Sequence, residues 1–174
     1  WLEPPEPNAV NLSLDPGLAF GTGTHPTTAL CLRQLDSMSW VGQTFVDYGC
    51  GSGILAVAAL KLGAARALGV DNDPQALAAS RDNAARNNIA PENFPVAFAG
   101  KVDQRAWVRR ADVVMANILA GPLIDLSETL LNFLKPGGTL LLSGLLQNQA
   151  ETLCAHYADR LPLRIVGERD GRVC

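Results

Sequence analysis

The sequence has no excess of positive charge. Its 14 lysines and arginines are set against 17 aspartates and glutamates, which gives a formal net charge of −3. A domain that grips nucleic acid usually carries a basic excess, so direct binding to nucleic acid is not expected. Arg105, Arg109 and Arg110 come nearest to a positive patch, and so short a cluster is typical of one solvated face.

Cysteine and histidine are also scarce, with four cysteines and two histidines in the chain. No cysteines form a C-x-x-C pair and neither histidine lies at zinc-ligand spacing from a cysteine, so no metal site is predicted. The four cysteines are Cys31, Cys50, Cys154 and Cys174. Free thiols at such sparse spacing fit a reducing compartment, so a cytoplasmic protein is predicted. Apolar runs of about 18 residues and a signal peptide are both missing, so no membrane association is expected.

What the sequence does contain is a regular alternation of strand and helix patterns. The 174 residues, 48% of them apolar, suit one domain with a full core. The predicted strands are residues 9–14, 44–49, 66–70, 94–98, 111–116, 139–143 and 163–168, with a further strand opening at 172–174. The predicted helices are residues 26–37, 53–62, 74–87, 101–109, 122–134 and 147–159. This order predicts an open α/β fold with a parallel sheet.

In such sheets a ligand binds beyond the carboxyl ends of the strands. The residues that follow each predicted strand are therefore the candidates for a binding site: Asp47 to Gly53, Asp71, Gly100 and Asn117.

The segment D-Y-G-C-G-S-G-I-L at residues 47–55 runs from a predicted strand into a predicted helix. Residues 49–53 are called the glycine loop. Its Gly49, Gly51 and Gly53 permit a tight turn and a close approach of the backbone to a ligand. A dinucleotide site would need G-x-G-x-x-G, but Ile54 stands where the third glycine would fall. The pattern therefore favours a ligand with one nucleoside and a carboxylate, and an ordinary glycine-rich turn is the alternative.

Asp71 closes the strand predicted at 66–70, about twenty residues after the glycine loop. A carboxylate in this place can accept a bidentate pair of hydrogen bonds from ribose hydroxyls. Its neighbour Asp73 precedes Pro74 and is predicted to cap the next helix. The alternative for Asp71 is also a cap or turn role.

Asn117 ends the strand predicted at 111–116. Its amide could accept a hydrogen bond from an incoming amine and donate another to the ligand. A turn asparagine is an equally common use, so both interpretations stay open.

The loop at 15–25 contains three glycines, and Phe20 within it could cover a bound ligand. Thr27 and Thr28 follow in the first turn of a helix, where hydroxyls or amides can hold a carboxylate. Taken alone, the segment is more typical of a plain connecting loop with capping threonines.

Four segments together resemble one known family. They are D-P-G-L-A-F-G-T-G-T-H-P-T-T at 15–28, D-Y-G-C-G-S-G-I-L-A-V-A-A-L-K-L-G-A at 47–64, D-N-D-P-Q-A-L-A-A-S-R-D-N-A at 71–84 and A-N-I-L-A-G-P-L at 116–123. They are similar to the PrmA family, bacterial methyltransferases that act on the eleventh protein of the large ribosomal subunit. The glycine-loop motif is shared by class I methyltransferases in general, whereas the first and last segments are far more specific.

The resemblance implies a fold, a cofactor and a substrate. The fold is a seven-stranded Rossmann-like class I S-adenosylmethionine-dependent methyltransferase. The S-adenosylmethionine contacts fall on Thr28, Gly49, Asp71 and Asn117, beside Gly51, Gly53 and Phe20 as further candidates. The methyl acceptors are lysine side-chain amines and an N-terminal α-amine, and Asn117 is expected to orient the incoming amine.

Related enzymes that act on glutamine amides or base amines carry Asn-Pro-Pro-Tyr after the fourth strand. Here Ile118 and Leu119 follow the asparagine, which disfavours those substrates. The alternatives are a class I methyltransferase of RNA or of a small molecule, and a cofactor-binding module without catalysis.

The resemblance also implies how the chain is divided. The Pro-rich residues 1–8 look like the end of a linker, and residues 9–174 correspond to a catalytic domain that we expect to be a monomer. By the same resemblance we expect the family's N-terminal substrate-recognition domain to be absent from this chain, which begins at Trp1, and the last hairpin to be truncated. We therefore expect the chain to bind cofactor but to methylate its protein substrate poorly.

Overall fold

The structure, a computed structural model, describes residues 9–15 and 25–174. Its strands are β1 (Thr44–Tyr48), β2 (Arg66–Asp71), β3 (Val96–Phe98), β4 (Ala111–Asn117), β5 (Leu134–Ser143), β6 (Leu145–Leu146), β7 (Glu168–Arg169) and β8 (Arg172–Val173). Its helices are α1 (Pro26–Asp36), α2 (Ile54–Lys61), α3 (Pro74–Arg86), α4 (Gln104–Trp107), α5 (Ala120–Asp125), α6 (Ser127–Phe133) and α7 (Gln147–Tyr157), and a 3-10 turn covers Ala99–Lys101. None of these helices is long and apolar enough to cross a membrane.

Five of the strands form one parallel sheet in the order β3-β2-β1-β4-β5. The central strand β1 pairs on both sides, with Val46 opposite Leu68 on β2 and opposite Val114 on β4. The strand order reverses between β1 and β4, which is where an open α/β sheet forms a crevice at its carboxyl ends. The predicted α/β fold with a parallel sheet is therefore confirmed.

The two faces of the sheet carry separate halves of the core. Along β1 and β4, Phe45 and Met115 pack with α1 and α2 on one face. The intervening Val46 and Val114 pack with α5, α6 and α7 on the other. This alternation follows from the two-residue period of a strand, and it covers both faces as a parallel sheet requires.

The remaining strands differ from the expectation of seven strands in one sheet. In the described residues the main sheet has five strands, and β6, β8 and β7 form a small antiparallel sheet beside it. The strand predicted at 163–168 is wrong except at Glu168, which begins β7. The amides of Val166 and Gly167 donate to the Cys174 carbonyl, just beyond the end of β8. The strand expected to open at 172–174 is present as β8, in a hairpin with β7.

Two further departures occur at helix and strand ends. The helix predicted at 122–134 is divided at Leu126 into α5 and α6. The Pro-Gly-Gly of residues 136–138, predicted to precede the fifth strand, lies inside β5 as a bulge. There the partner of β4 shifts from Leu134, opposite Ala111, to Thr139, opposite Val113.

The strand predicted at 9–14 is also wrong, since residues 10–15 belong to no strand or helix. Two asparagines near the end of α3 hold this segment instead. Asn87 accepts a hydrogen bond from the Ser13 amide at 2.9 Å and donates to the Ser13 carbonyl at 2.7 Å, and Asn83 accepts from the Asp15 amide at 2.9 Å. The side chains of α3 thus satisfy the backbone groups that a sheet would otherwise pair.

We expect Asn87→Ala to lower the free energy of unfolding by about 1–3 kcal/mol, because its buried side chain makes both hydrogen bonds to Ser13. Urea denaturation measures the effect as a lower midpoint at unchanged slope. Asp82→Ala, an exposed position on the same helix, is the matched control. Equal midpoints for the two variants would contradict the role assigned to Asn87.

Candidate functional site

A cavity of about 540 Å3 opens at the carboxyl ends of the parallel strands. The segments that follow β1, β2 and β4 line it, and the first turns of α1 and α2 close its sides. Its volume is that of a small-molecule site, and its place at the strand-order reversal is where such folds bind ligands.

The glycine loop forms one wall of the cavity. Gly49 and Gly51 line it with φ angles of +79° and +53°, so both residues use the backbone freedom for which glycine was predicted here. Gly53 has a φ of +77° but does not line the cavity. It lies against α3, where an added Cβ would come within 3.0 Å of the Ser80 hydroxyl oxygen.

Asp71 faces the cavity from the end of β2, and its carboxylate already holds the loops around it. Oδ2 accepts a hydrogen bond from the Gly51 amide at 3.0 Å, and Oδ1 accepts from the Asn72 and Asp73 amides at 2.8 and 3.0 Å. A carboxylate has about four acceptor sites, so about one remains for a ligand hydroxyl instead of the two that a bidentate pair needs. Asp73 caps α3 as predicted, accepting from the Gln75 amide at 2.8 Å.

Thr28 and Asn117 meet at the cavity wall although they are 89 positions apart in the chain. The Asn117 side chain donates from Nδ2 to the Thr28 hydroxyl at 3.3 Å, and both residues line the cavity. The Asn117 Oδ1 is buried and has no hydrogen-bond partner among the described residues. A buried acceptor of this kind costs free energy unless a ligand or water satisfies it, so it marks a place for a donor.

Several lining residues were not among the sequence candidates. His25 caps α1 through its ring, with Nδ1 2.8 Å from the Thr27 hydroxyl. Gly144, which follows β5, and Arg172, which begins β8, also line the cavity. Apolar side chains cover much of the remaining wall; outside the candidate segments predicted from the sequence they include Ile54, Leu55, Ala99, Ile118 and Leu119. Their position after a strand or in a first helical turn was the available signal for some, but no pattern in the sequence indicates Arg172.

Phe20 and Gly100 were also candidates from the sequence. Phe20 lies outside the described residues, as do the glycines of its loop. Gly100 sits in the 3-10 turn after β3, and its neighbour Ala99 lines the cavity in its place. The described residues contain no group of three or more histidines, cysteines or acids able to hold a metal ion.

Asp47 lies beneath the glycine loop, fully buried in β1. Its Oδ2 accepts a hydrogen bond from the Ala56 amide in α2 at 3.2 Å, and its Oδ1 has no partner in the part of the chain that the structure describes. Burial raises the pKa of this carboxyl from 3.8 to about 7; the Ala56 amide opposes the rise and the nearby Asp71 carboxylate adds to it. Asp47 therefore ties the loop's supporting strand to α2 through a group that titrates near neutral pH.

Comparison of the sequence with known proteins identifies the family to which the chain belongs. The family model of ribosomal protein L11 methyltransferase (PrmA) matches residues 1–174. The chain belongs to the PrmA family.

A PrmA-family relative, the ribosomal protein L11 methyltransferase of Pseudomonas aeruginosa strain PAO1, is 58% identical over 171 residues, which are 98% of this chain and 57% of that protein. The protein of the same name from Vibrio cholerae strain O395 is 57% identical over 169 residues, which are 97% of this chain and 56% of that protein. The chain thus spans a little over half the length of these relatives.

Two solved structures have a similar fold. A ribosomal protein L11 methylase from Lactobacillus delbrueckii subsp. bulgaricus has a TM-score of 0.74 at 34% identity, covering 92% of this chain and 80% of that one. An RNA methyltransferase from Salinibacter ruber, solved with S-adenosyl-L-homocysteine, has a TM-score of 0.60 at 20% identity, covering 82% and 85%. The second likeness concerns the fold alone, which is the Rossmann-like class I fold.

The pKa of Asp47 predicts a pH dependence of folding. Between pH 3.8 and about 7 the folded protein keeps a proton that the unfolded chain releases, so this group's contribution to stability is lost as pH rises through that window. Asp47→Asn removes the ionisation. Its stability relative to wild type should therefore rise across the window, by on the order of 4 kcal/mol if the whole shift is expressed.

Urea denaturation at several pH values measures this difference. Asp36→Asn, which changes an exposed aspartate on α1, is the control and should run parallel to wild type. If the profile of Asp47→Asn also ran parallel, the ionisation of Asp47 would not be linked to folding.

Proposed function

We propose that this chain is the cofactor-binding and catalytic part of an S-adenosylmethionine-dependent methyltransferase that modifies lysine side-chain and N-terminal amines of ribosomal protein L11. The observation that carries the proposal is the meeting of Thr28, Asn117, Asp71 and the glycine loop around one cavity at the strand-order reversal. Membership of the PrmA family supports the same activity and substrate.

The cavity fits the chemistry of S-adenosylmethionine. The Asp71 carboxylate has acceptor capacity left for a ribose hydroxyl, and Gly49 and Gly51 let backbone approach a ligand closely. Ile54, Leu55 and Ala99 offer apolar surface to a purine ring. When bound, the cofactor supplies a methyl group activated by its sulfonium.

The protein's part in the reaction is to position a neutral amine. A lysine amine has a pKa of about 10.4 in water, so the site must favour the uncharged form before attack. The buried Asn117 Oδ1 can accept a hydrogen bond from that amine, while Nδ2 is held by Thr28. We assign Asn117 to orienting the amine and water to taking up the proton, and such positioning supplies much of the acceleration.

The Pro-rich residues 1–8 and the 9–174 domain remain part of this proposal as linker end and catalytic domain. Because the chain spans a little over half the length of its relatives, we place recognition of the whole ribosomal protein partly in their additional length. Equal turnover on ribosomal protein L11 by this chain and by a full-length relative would contradict that division.

We expect the chain to bind S-adenosylmethionine in calorimetric titration and not to bind NADH, because Ile54 interrupts the dinucleotide motif. Asp71→Asn should weaken binding about tenfold or more, since it removes the charge that strengthens a hydrogen bond from ribose. Asp73→Asn is the matched control, because asparagine also caps helices well. Binding of NADH alone, or of neither compound, would contradict the proposed function.

We expect Asn117→Ala to lower turnover at least about thirtyfold while cofactor affinity changes by less than about threefold, since orientation affects the reaction more than binding. Transfer of labelled methyl to ribosomal protein L11 and calorimetry measure the two quantities. Thr28→Val removes the partner of Asn117 but keeps the Asn117 amide. Equal losses of turnover and affinity in Asn117→Ala would count against the orienting role.

A further inference from the structure

Ile118, the residue after Asn117, packs closely against two glycines that follow the neighbouring strands β1 and β5. A Cβ added to Gly49, which follows β1, would lie 2.4 Å from the Ile118 Cγ2 methyl. A Cβ added to Gly144, which follows β5, would lie 2.3 Å from the Ile118 carbonyl oxygen and 2.8 Å from the Ile118 nitrogen. Real Cβ atoms do not approach other atoms this closely, so Ile118 occupies space that only glycine leaves open on both sides.

The two contacts differ in kind. Gly49 receives the side chain of Ile118, whereas Gly144 packs against its peptide backbone. Both glycines have positive φ angles, +79° and +92°, and all three residues line the cavity. Ile118 is therefore packed on the β1 side through its Cγ2 methyl against Gly49, and on the β5 side through its backbone against Gly144.

This restraint acts on the group that faces the reaction. Ile118 is bonded directly to Asn117, whose Nδ2 is held by Thr28 and whose Oδ1 is left for a donor. On its other side is Leu119, which is 71% exposed at the edge of the cavity and begins the connection to α5. A shift of Ile118 would move Asn117 relative to the other walls of the cavity. Misplacing a positioning group by about 1 Å can lower a reaction rate about a hundredfold.

We propose that Ile118 is a positioning residue for methyl transfer and that Gly49 and Gly144 are glycines in order to seat it. This inference rests on the proposed function for its catalytic part. It also assigns Gly49 a role besides close approach to the cofactor, namely to make room for the Ile118 methyl.

A double-mutant cycle separates the two roles of Gly49. Gly49→Ala should lower the urea midpoint and weaken S-adenosylmethionine binding, because its Cβ collides with Ile118 Cγ2. Ile118→Ala removes that methyl and should restore part of both losses, whereas Ile118→Val keeps a methyl at Cγ2 and should restore neither. Gly42→Ala, at a φ of +74° with nothing near its Cβ, gives the cost of backbone strain alone.

The catalytic part is tested by variants that change turnover without removing a cofactor contact. Ile118→Ala should lower turnover on ribosomal protein L11 about tenfold with cofactor affinity nearly unchanged, and Gly144→Ala should lower it further. Ile118→Ala should not rescue Gly144→Ala, because that Cβ meets the backbone. Gly137→Ala, at a φ of +78° in open space within the β5 bulge, is the control for strain.

The outcomes are distinguishable from failure of the proposed function. If the wild-type chain does not bind S-adenosylmethionine, the proposed function is wrong, while the urea midpoints still test the seating of Ile118. If the wild-type chain binds and methylates but Ile118→Ala does so at the same rate, the positioning role alone is wrong. If Ile118→Ala and Ile118→Val restore the urea midpoint and binding of Gly49→Ala equally, Gly49 does not serve to make room for the Ile118 methyl.

Discussion

Between β1 and β4 the connections must leave the sheet on opposite faces, because β2 continues the order on one side and β5 on the other. The helix that follows β1 packs on one face, and those that follow β4 pack on the other. This divergence opens the gap in which Asp71, Asn117 and Thr28 can face a common ligand. The glycine loop and the seat of Ile118 are consequences of packing several chain segments closely around that gap.

The same crowding explains why polar groups of the site have more than one task. Asp71 orders the backbone of Gly51, Asn72 and Asp73 while keeping acceptor capacity toward the cavity. Asp47 supports α2 from below at the expense of burying a carboxyl whose pKa is raised to about 7. At Asp71 the order of the loops and the contact with a ligand therefore depend on the same carboxylate.

The sequence predicted the main sheet and the residues at the ends of its strands because these depend on local patterns. Apolar runs ending in Gly49, Asp71 and Asn117 are visible without knowledge of the fold, and Thr28 was assigned from the family resemblance. The strand expected at 9–14 has a similar local pattern but pairs with no strand, because Asn83 and Asn87 take up its backbone groups. The strand expected at 163–168 pairs only at its end, where Glu168 lies opposite Val173. Whether an extended segment pairs depends on tertiary neighbours.

The site residues that the sequence did not indicate share a different cause. Gly144 matters because it approaches Ile118, 26 positions earlier in the chain, and that approach exists only after β4 and β5 have paired. Arg172 reaches the cavity through pairing of β8 with β6. Contacts of this kind leave no periodicity and no motif, so a single sequence carries no trace of them.

The bulge in β5 lies at the amino ends of the strands, opposite the cavity. Its exposed residues Lys135 to Gly137 interrupt the ladder between β4 and β5 without breaking the sheet, and the Cα of Gly137 faces open space. The amino ends of the strands can therefore be modified without altering the carboxyl ends, where the cavity lies. A fluorophore or a surface tether attached at this bulge would leave the cavity open to ligands and would be anchored to the main sheet.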